Sequence, residues 1–320
     1  MSNVTLIEQC DAALETLLRT PDSPVPSVDP SVDELLRVAI ELRGLPAADF
    51  KARLRADLDR RIARIKSGVK PIREGFHTIT LCLVGSEVDE LIEFVRQAFG
   101  GQLLFRTVGS ARVHAEVRIG DSMLIVGGGT DWREAPLPAG IHLYVEDADA
   151  VYERALQAGA SSMHGPVDQV YGDREASVKD IFGNHWYIAT HKATGHKPEG
   201  LHSVTPYLHP IGAGKMIEFL ERAFGAEEQH RAQSPDGVIH HATVKIGDSI
   251  IEMGEAHGPW QPMPTMFYVY VDDVDDLYRR AVKAGAVSQS APADQPYGDR
   301  VAGVTDPFNN VWYIGTHIRD

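Results

Sequence analysis

His114 and Glu116 stand two residues apart in a run of branched side chains, and His241 holds the matching position in a second, similar run. On a strand that spacing puts both groups on one face, where an imidazole and a carboxylate can share a proton or orient a polar ligand. The same pair can instead satisfy nearby backbone groups, the commoner fate of half-buried histidines. His142 and Tyr144 repeat the two-residue spacing, and so do Tyr268 and Tyr270 at the corresponding place later in the chain. Glu252 has an isoleucine, Ile125, as its counterpart, so its carboxylate suits either acid–base work or a charge at a strand end. Tyr187 and Tyr313 alternate with Trp186 and Trp312, so each tyrosine faces away from a tryptophan whose large ring suits a core. Arg174 and Arg300 close two copies of Tyr-Gly-Asp-Arg, where the glycine fits a turn and the arginine either pairs locally or gates a ligand. His191 and His317, each preceded by threonine, end the last strand of their copies and suit hydrogen bonds at a rim.

These residues need a scaffold, and the chain is large enough to provide one. Its 320 residues, 43% hydrophobic and 24% charged, predict two domains and an extension, with an ordinary buried core. Thirty-one basic against 45 acidic residues leave a net charge of −14, which disfavours nucleic acid as a partner. Residues 1–70 hold 11 acids and 11 bases, so the excess negative charge lies beyond them. No apolar run approaches a membrane span, no secretory leader is evident, and the two cysteines, Cys10 and Cys82, form no metal or disulfide motif; a cytoplasmic location is expected. Gly212-Ala-Gly214-Lys215 lacks the spacing of a phosphate loop, Gly127-Gly-Gly129 opens no dinucleotide pattern, and neither Gly-x-Ser-x-Gly nor His-Glu-x-x-His occurs.

The positioning elements come from a duplication. Pro-Val-Asp-Gln-Val-Tyr-Gly-Asp-Arg through Trp-Tyr-Ile-Ala-Thr-His at 166–191 recurs at 292–317, an offset of 126 residues, and Ile-Gly-Asp-Ser at 119 recurs at 246. Each copy reads as two passes of strand, helix and three strands, a βαβββ unit: Phe76 to Val84 and the helix Val88 to Phe99 open the first, Ile141 to Val145 and the helix Ala148 to Ala158 the second. The expected domains are a helical extension over 1–70 and repeats over 71–193 and 196–320. Within the extension, Ala47 to Lys66 carries Phe50, Leu54, Leu58, Ile62 and Ile65 at helical spacing amid five arginines, either a wet face or an arm for a protein partner.

Tyr-Gly-Asp-Arg at 171 and 297, followed by Asp-Ile-Phe-Gly-Asn-His-Trp at 180 and Asp-Pro-Phe-Asn-Asn-Val-Trp at 306, resembles the PhnB-like branch of the vicinal oxygen chelate superfamily, which includes glyoxalase I and bleomycin-resistance proteins. The resemblance covers about 250 residues. It implies an α+β fold of tandem domains, each of two βαβββ units curled into an open sheet around a cavity, behaving together as an intramolecular pseudo-dimer. It also implies a test for a divalent metal. The positions matching the superfamily's ligands are Thr80, Ile125, Gly140 and Tyr187 in the first copy and Thr205, Glu252, Met266 and Tyr313 in the second; only Glu252 is a good ligand, and strand parity puts His77 and His202 on the opposite face.

The resulting expectation is a protein without a cofactor that sequesters or senses a small organic molecule in a cavity of each domain, using His114, Glu116, His142, Tyr144, Arg174, Tyr187, His241, Glu252, Tyr268, Tyr270, Arg300 and Tyr313, with no membrane partner. The alternatives are a lyase, isomerase or dioxygenase with a divergent divalent-metal site or metal-free acid–base chemistry, and a scaffold whose basic helix engages a protein.

Overall fold

The computed structural model describes Thr16 and residues 70–109, 111–131, 137–193 and 195–319. The expected N-terminal helices, the basic helix and Cys10 lie outside the described residues. The unit from Ser67 to Asp320 is compact in itself.

Four βαβββ units follow one another. The first is β1 (Ile79–Gly85), α1 (Val88–Phe99), β2 (Gln102–Arg106), β3 (Val113–Ile119) and β4 (Ser122–Gly128). The second is β5 (Gly140–Tyr144), α2 (Ala148–Gln157), β6 (Ser161–Asp168), β7 (Asp173–Lys179) and β8 (His185–His191). β9 (Val204–Leu208), α3 (Ala213–Phe224), β10 (Glu227–Gln233), β11 (Ile239–Ile246) and β12 (Ser249–Met253) form the third. The fourth is β13 (Met266–Tyr270), α4 (Val274–Ala284), β14 (Val287–Asp294), β15 (Asp299–Thr305) and β16 (Val311–His317). In α1, Val88, Leu91, Ile92, Val95 and Phe99 recur at helical spacing and are buried, and Gly100 ends the helix in a left-handed turn whose amide bonds the Arg96 carbonyl.

The strands form two eight-stranded sheets, and each draws one unit from each copy. The first sheet runs β14-β15-β16-β13-β1-β4-β3-β2 and the second β10-β11-β12-β9-β5-β8-β7-β6. Their seams are antiparallel: Thr80 faces Tyr268 across β1 and β13, and His142 faces Thr205 across β5 and β9. The Gly-Asp-Ser turns tie the sheets together. The Asp121 carboxylate and Ser122 hydroxyl of the first sheet accept from the Ser203 and Val204 amides at the start of β9, at 2.7 and 3.0 Å. Asp248 and Ser249 of the second sheet do the same for Thr78 and Ile79 at the start of β1, at 2.8 and 3.0 Å. This explains the repeated motif, and the glycine is obligatory in it: a Cβ at Gly247 (φ +59°) would sit 2.3 Å from Thr78 Oγ1, and one at Gly120 (φ +56°) 2.3 Å from Ser203 Oγ.

Alternation divides each sheet into a face on the helices and an inner face. Leu81, Leu83, Phe267 and Trp312 of the first sheet, and Ile141, Leu143, Trp186 and Ile188 of the second, join the helices in one apolar core. Both tryptophans are fully buried, each donating its indole N–H to Asp180 or Asp306 at 2.9 Å. Those aspartates also accept from the amides two and four residues on and from the side chain of Asn184 or Asn310. The Asp-x-Phe-x-Asn-x-Trp pattern is therefore a turn that seats a core tryptophan.

Candidate functional site

The two inner faces have opposite character. On the first sheet, Cys82, Val84, Ile125, Met266 and Val311 pack with Phe76 of the preceding segment and with Tyr270, while Ile72, Tyr268 and Tyr313 close over them. Residues 70–76 lie across this face: the Pro71 carbonyl accepts from the His317 amide at 2.9 Å, and the Arg73 guanidinium is ion-paired with Glu116 and stands 4.6 Å over the Phe76 ring. Glu116 also meets His114 at 3.3 Å. Tyr268 and Tyr270 both donate to Asp299, at 2.6 and 3.2 Å, and His317 bonds the same carboxylate at 2.7 Å. His114, Glu116, Tyr268, Tyr270 and Tyr313 thus share a face filled by the protein's own side chains.

On the second sheet the inner face is polar. His142 Nδ1 lies 2.6 Å from Glu252 Oε2, and both side chains are buried, 7% and 5% exposed. One residue comes from each sequence copy, a pairing made by the β5–β9 seam. His142 Nε2 is buried with no hydrogen-bond partner among the described residues, and the nearest carboxylate oxygen, Glu175 Oε2, is 3.9 Å away. Glu175 continues the array, 3.6 Å from His164 and accepting from the Tyr171 hydroxyl at 2.9 Å, while His241 stands 3.7 Å from the other Glu252 oxygen. Imidazoles and carboxylates alternate across β6, β7, β5, β12 and β11.

Charge within this array is set by its own members. Burial disfavours a charged His142, but the adjacent Glu252 outweighs it and raises the imidazole's pKa; reciprocally Glu252 is held below the usual carboxylate range despite burial. Glu175 is likewise lowered, burial being overcome by His164 and His142. The array thus favours the protonated form of His142, with the Glu252 carboxylate accepting from Nδ1.

Aromatic rings wall the array. Tyr144 stacks on His142 at 4.3 Å, Tyr207 lies 5.2 Å from Tyr187 and 4.9 Å from His209, and Trp260 stacks on His209 at 5.8 Å. The Tyr187 hydroxyl and His209 Nε2 are 2.9 Å apart, and burial depresses the His209 pKa to about 4. Tyr144 donates to Asp173 at 3.2 Å, which also holds His191 at 2.6 Å. The structure therefore brings His142, Tyr144, Tyr187, His241 and Glu252 together. It places Arg174 and Arg300 elsewhere: each grips an aspartate of the neighbouring helix, Asp149 or Asp275, and an aspartate of the adjacent strand, Asp168 or Asp294. Sequence reasoning missed Glu175, His164, Tyr207, His209 and Trp260. The available signal was a difference between copies, since Glu175 and His164 correspond to Val301 and Ser290.

Residues 75–188 and 212–314 match the model of the Glyoxalase/Bleomycin resistance protein/Dioxygenase superfamily. The chain belongs to that superfamily. An uncharacterized protein of Mycobacterium bovis is 34% identical over 129 residues, 37% of this chain and 85% of that protein. Among solved structures, glyoxalase I from Zea mays aligns over 74% of this chain and 92% of its own, with 14% identity and a TM-score of 0.57. A putative dioxygenase from Bacillus subtilis aligns over 75% and 84%, with 14% identity and a TM-score of 0.52. At that identity both likenesses concern the fold alone.

The family implies a divalent metal, and the donor sets present do not fit one. On the first sheet the matching positions are Thr80, Ile125, Met266 and Tyr313, with Ile125 and Met266 inside an apolar cluster. On the second they are Gly140, Thr205, Tyr187 and Glu252, where Tyr187 is bonded to His209, the Thr205 hydroxyl donates to the His202 carbonyl at 3.3 Å, and Glu252 is turned onto His142. One carboxylate already paired with one imidazole falls short of three protein ligands.

Proposed function

We propose that this superfamily member binds one small, planar, uncharged organic molecule on the inner face of the second sheet, without a divalent metal. The observation that carries the reading is the buried His142 Nε2, a ring nitrogen with no hydrogen-bond partner among the described residues, amid tyrosines and Trp260. A ligand carbonyl or phenolic oxygen would accept from the protonated Nε2, and its ring would stack on the aromatic wall. Each carboxylate of the array lies beside two imidazoles, so its charge is met within the array, which favours an uncharged ligand over an ion. The first sheet serves as a closed structural counterpart, and the paired motifs at 171 and 297 support placement in the PhnB-like branch.

A second reading rests on the same dyad. A carboxylate on Nδ1 and an open Nε2 are the arrangement of an oriented acid–base imidazole, suited to moving a proton at a carbon beside a carbonyl. It requires the same ligand position, so one experiment addresses both. Benzaldehyde, benzamide, phenol and benzoate are titrated into wild type and H142A by ligand-observed NMR. Binding of a neutral probe that weakens at least about tenfold in H142A, the loss of one charge-assisted hydrogen bond, is expected. Equal binding to both proteins, or preference for benzoate, contradicts the proposal.

A further inference from the structure

A separate histidine cluster lies at the junction of the two sheets. His77 precedes β1 in the first copy and His202 precedes β9 in the second, and their rings stack at 3.5 Å with 17° between planes. The Asp248 carboxylate, from the β11–β12 turn, completes the group, and one potential ligand atom from each of the three residues lies within 4.8 Å of the others. None of them belongs to the inner face of either sheet.

The hydrogen bonds orient all three as ligands. His77 Nε2 lies 2.9 Å from the Asp121 carbonyl and His202 Nε2 3.0 Å from the Asp248 carbonyl. A carbonyl only accepts, so both Nε2 atoms carry the proton and donate it, turning each Nδ1 away from the backbone; His77 Nδ1 meets the Asp248 carboxylate, a contact that a cation between them would replace. A backbone carbonyl on the distal nitrogen is the arrangement that fixes tautomer and orientation in metal-binding histidines. Asp248 divides its oxygens in the same way: Oδ1 accepts from the Thr78 amide at 2.8 Å and the Ser249 hydroxyl at 2.9 Å, while Oδ2 faces His77 Nδ1 at 3.0 Å. That last separation suits two donors sharing one cation.

The pseudo-twofold relation supplies a contrast. Asp121 is the counterpart of Asp248, and Lys197 is ion-paired with it. The counterpart of Lys197 is Ile72, five residues before His77, so the second aspartate meets an imidazole where the first meets an ammonium. A small cavity adjoins the stack, lined by both histidines, Ser122 and Ser249 together with apolar side chains such as Leu81 and Val204.

We infer that His77 Nδ1, His202 Nδ1 and an Asp248 carboxylate oxygen form a site for a divalent transition metal such as Zn2+, bridging the two sheets. Two imidazoles, one carboxylate and water suit Zn2+ in tetrahedral coordination. The ion adds a link between sheets that the Gly-Asp-Ser turns already hold, so its expected role is to stabilise the junction.

The test uses the full chain, stripped with chelator, dialysed and titrated with ZnCl2 by calorimetry, with Co2+ absorption as a second readout. One Zn2+ per chain and the intense visible bands of four-coordinate Co2+ are expected. H202Q and D248N, shown to be folded by circular dichroism, should each weaken binding by about 10- to 100-fold, and the double variant should abolish it. Absence of uptake overturns the inference, as does uptake that persists in the double variant or disappears in H142A.

Discussion

At the scale of single residues, the second sheet's inner face is a set of titratable groups whose states are fixed by their neighbours. His209 gives the cleanest consequence. Burial holds it near 4 in the folded chain, against about 6.5 when unfolded. Between those values the unfolded chain binds a proton that the folded chain does not, so stability falls as pH drops through that window. Thermal unfolding of wild type should therefore show a component of acid destabilisation between about pH 6.5 and 4 that is absent in H209Q. An identical pH dependence in the two proteins would contradict the burial argument. Alternation made part of this face legible in advance: Tyr187 and Trp186 lie on opposite faces, and His142 and Tyr144 on one. For Arg174 local pairing was one of the two readings, and it does pair with Asp168; its helix partner Asp149 was not legible, because it lies 25 residues away and only packing brings them together. Glu175, directly beside Arg174, was overlooked although its counterpart is a valine.

At the scale of elements, the repeated sequence signatures turn out to build structure. Asp-x-Phe-x-Asn-x-Trp seats a tryptophan, and Ile-Gly-Asp-Ser ties each sheet to the other's seam strand. Gly247→Ala places a Cβ against Thr78 in a left-handed backbone conformation and should destabilise the chain by about 1–3 kcal/mol in denaturant titration. Gly100→Ala, where a Cβ meets nothing within 4 Å, provides the comparison, with only the left-handed conformation to penalise it. If the two variants lose equal stability, the clamp contributes nothing beyond backbone strain. The βαβββ order was legible because apolar periodicity switches from two to 3.6 and back within each unit. Seam partners were not, because β1 and β5 carry similar apolar runs, and pairing of β1 with β13 depends on contacts almost 190 residues apart in sequence.

At the scale of the whole molecule, duplication has produced one polar inner face and one filled one. Sequence copies suggest a cavity in each, but every sheet mixes copies, so Glu252 of the second meets His142 of the first. The counterparts of these two residues, Ile125 and Tyr268, lie on the first sheet, where residues 70–76 cover them. No helix among the described residues is long and apolar enough to cross a membrane. The division of labour predicts one ligand per chain. The most direct measurement is a crystal structure of the full chain soaked with the tightest-binding neutral probe of the panel. Density for one molecule, its oxygen on His142 Nε2 and its ring against Tyr207 or Trp260, is the predicted result. Density on the first sheet between Tyr268 and Tyr313, or equal occupancy of both faces, would contradict it.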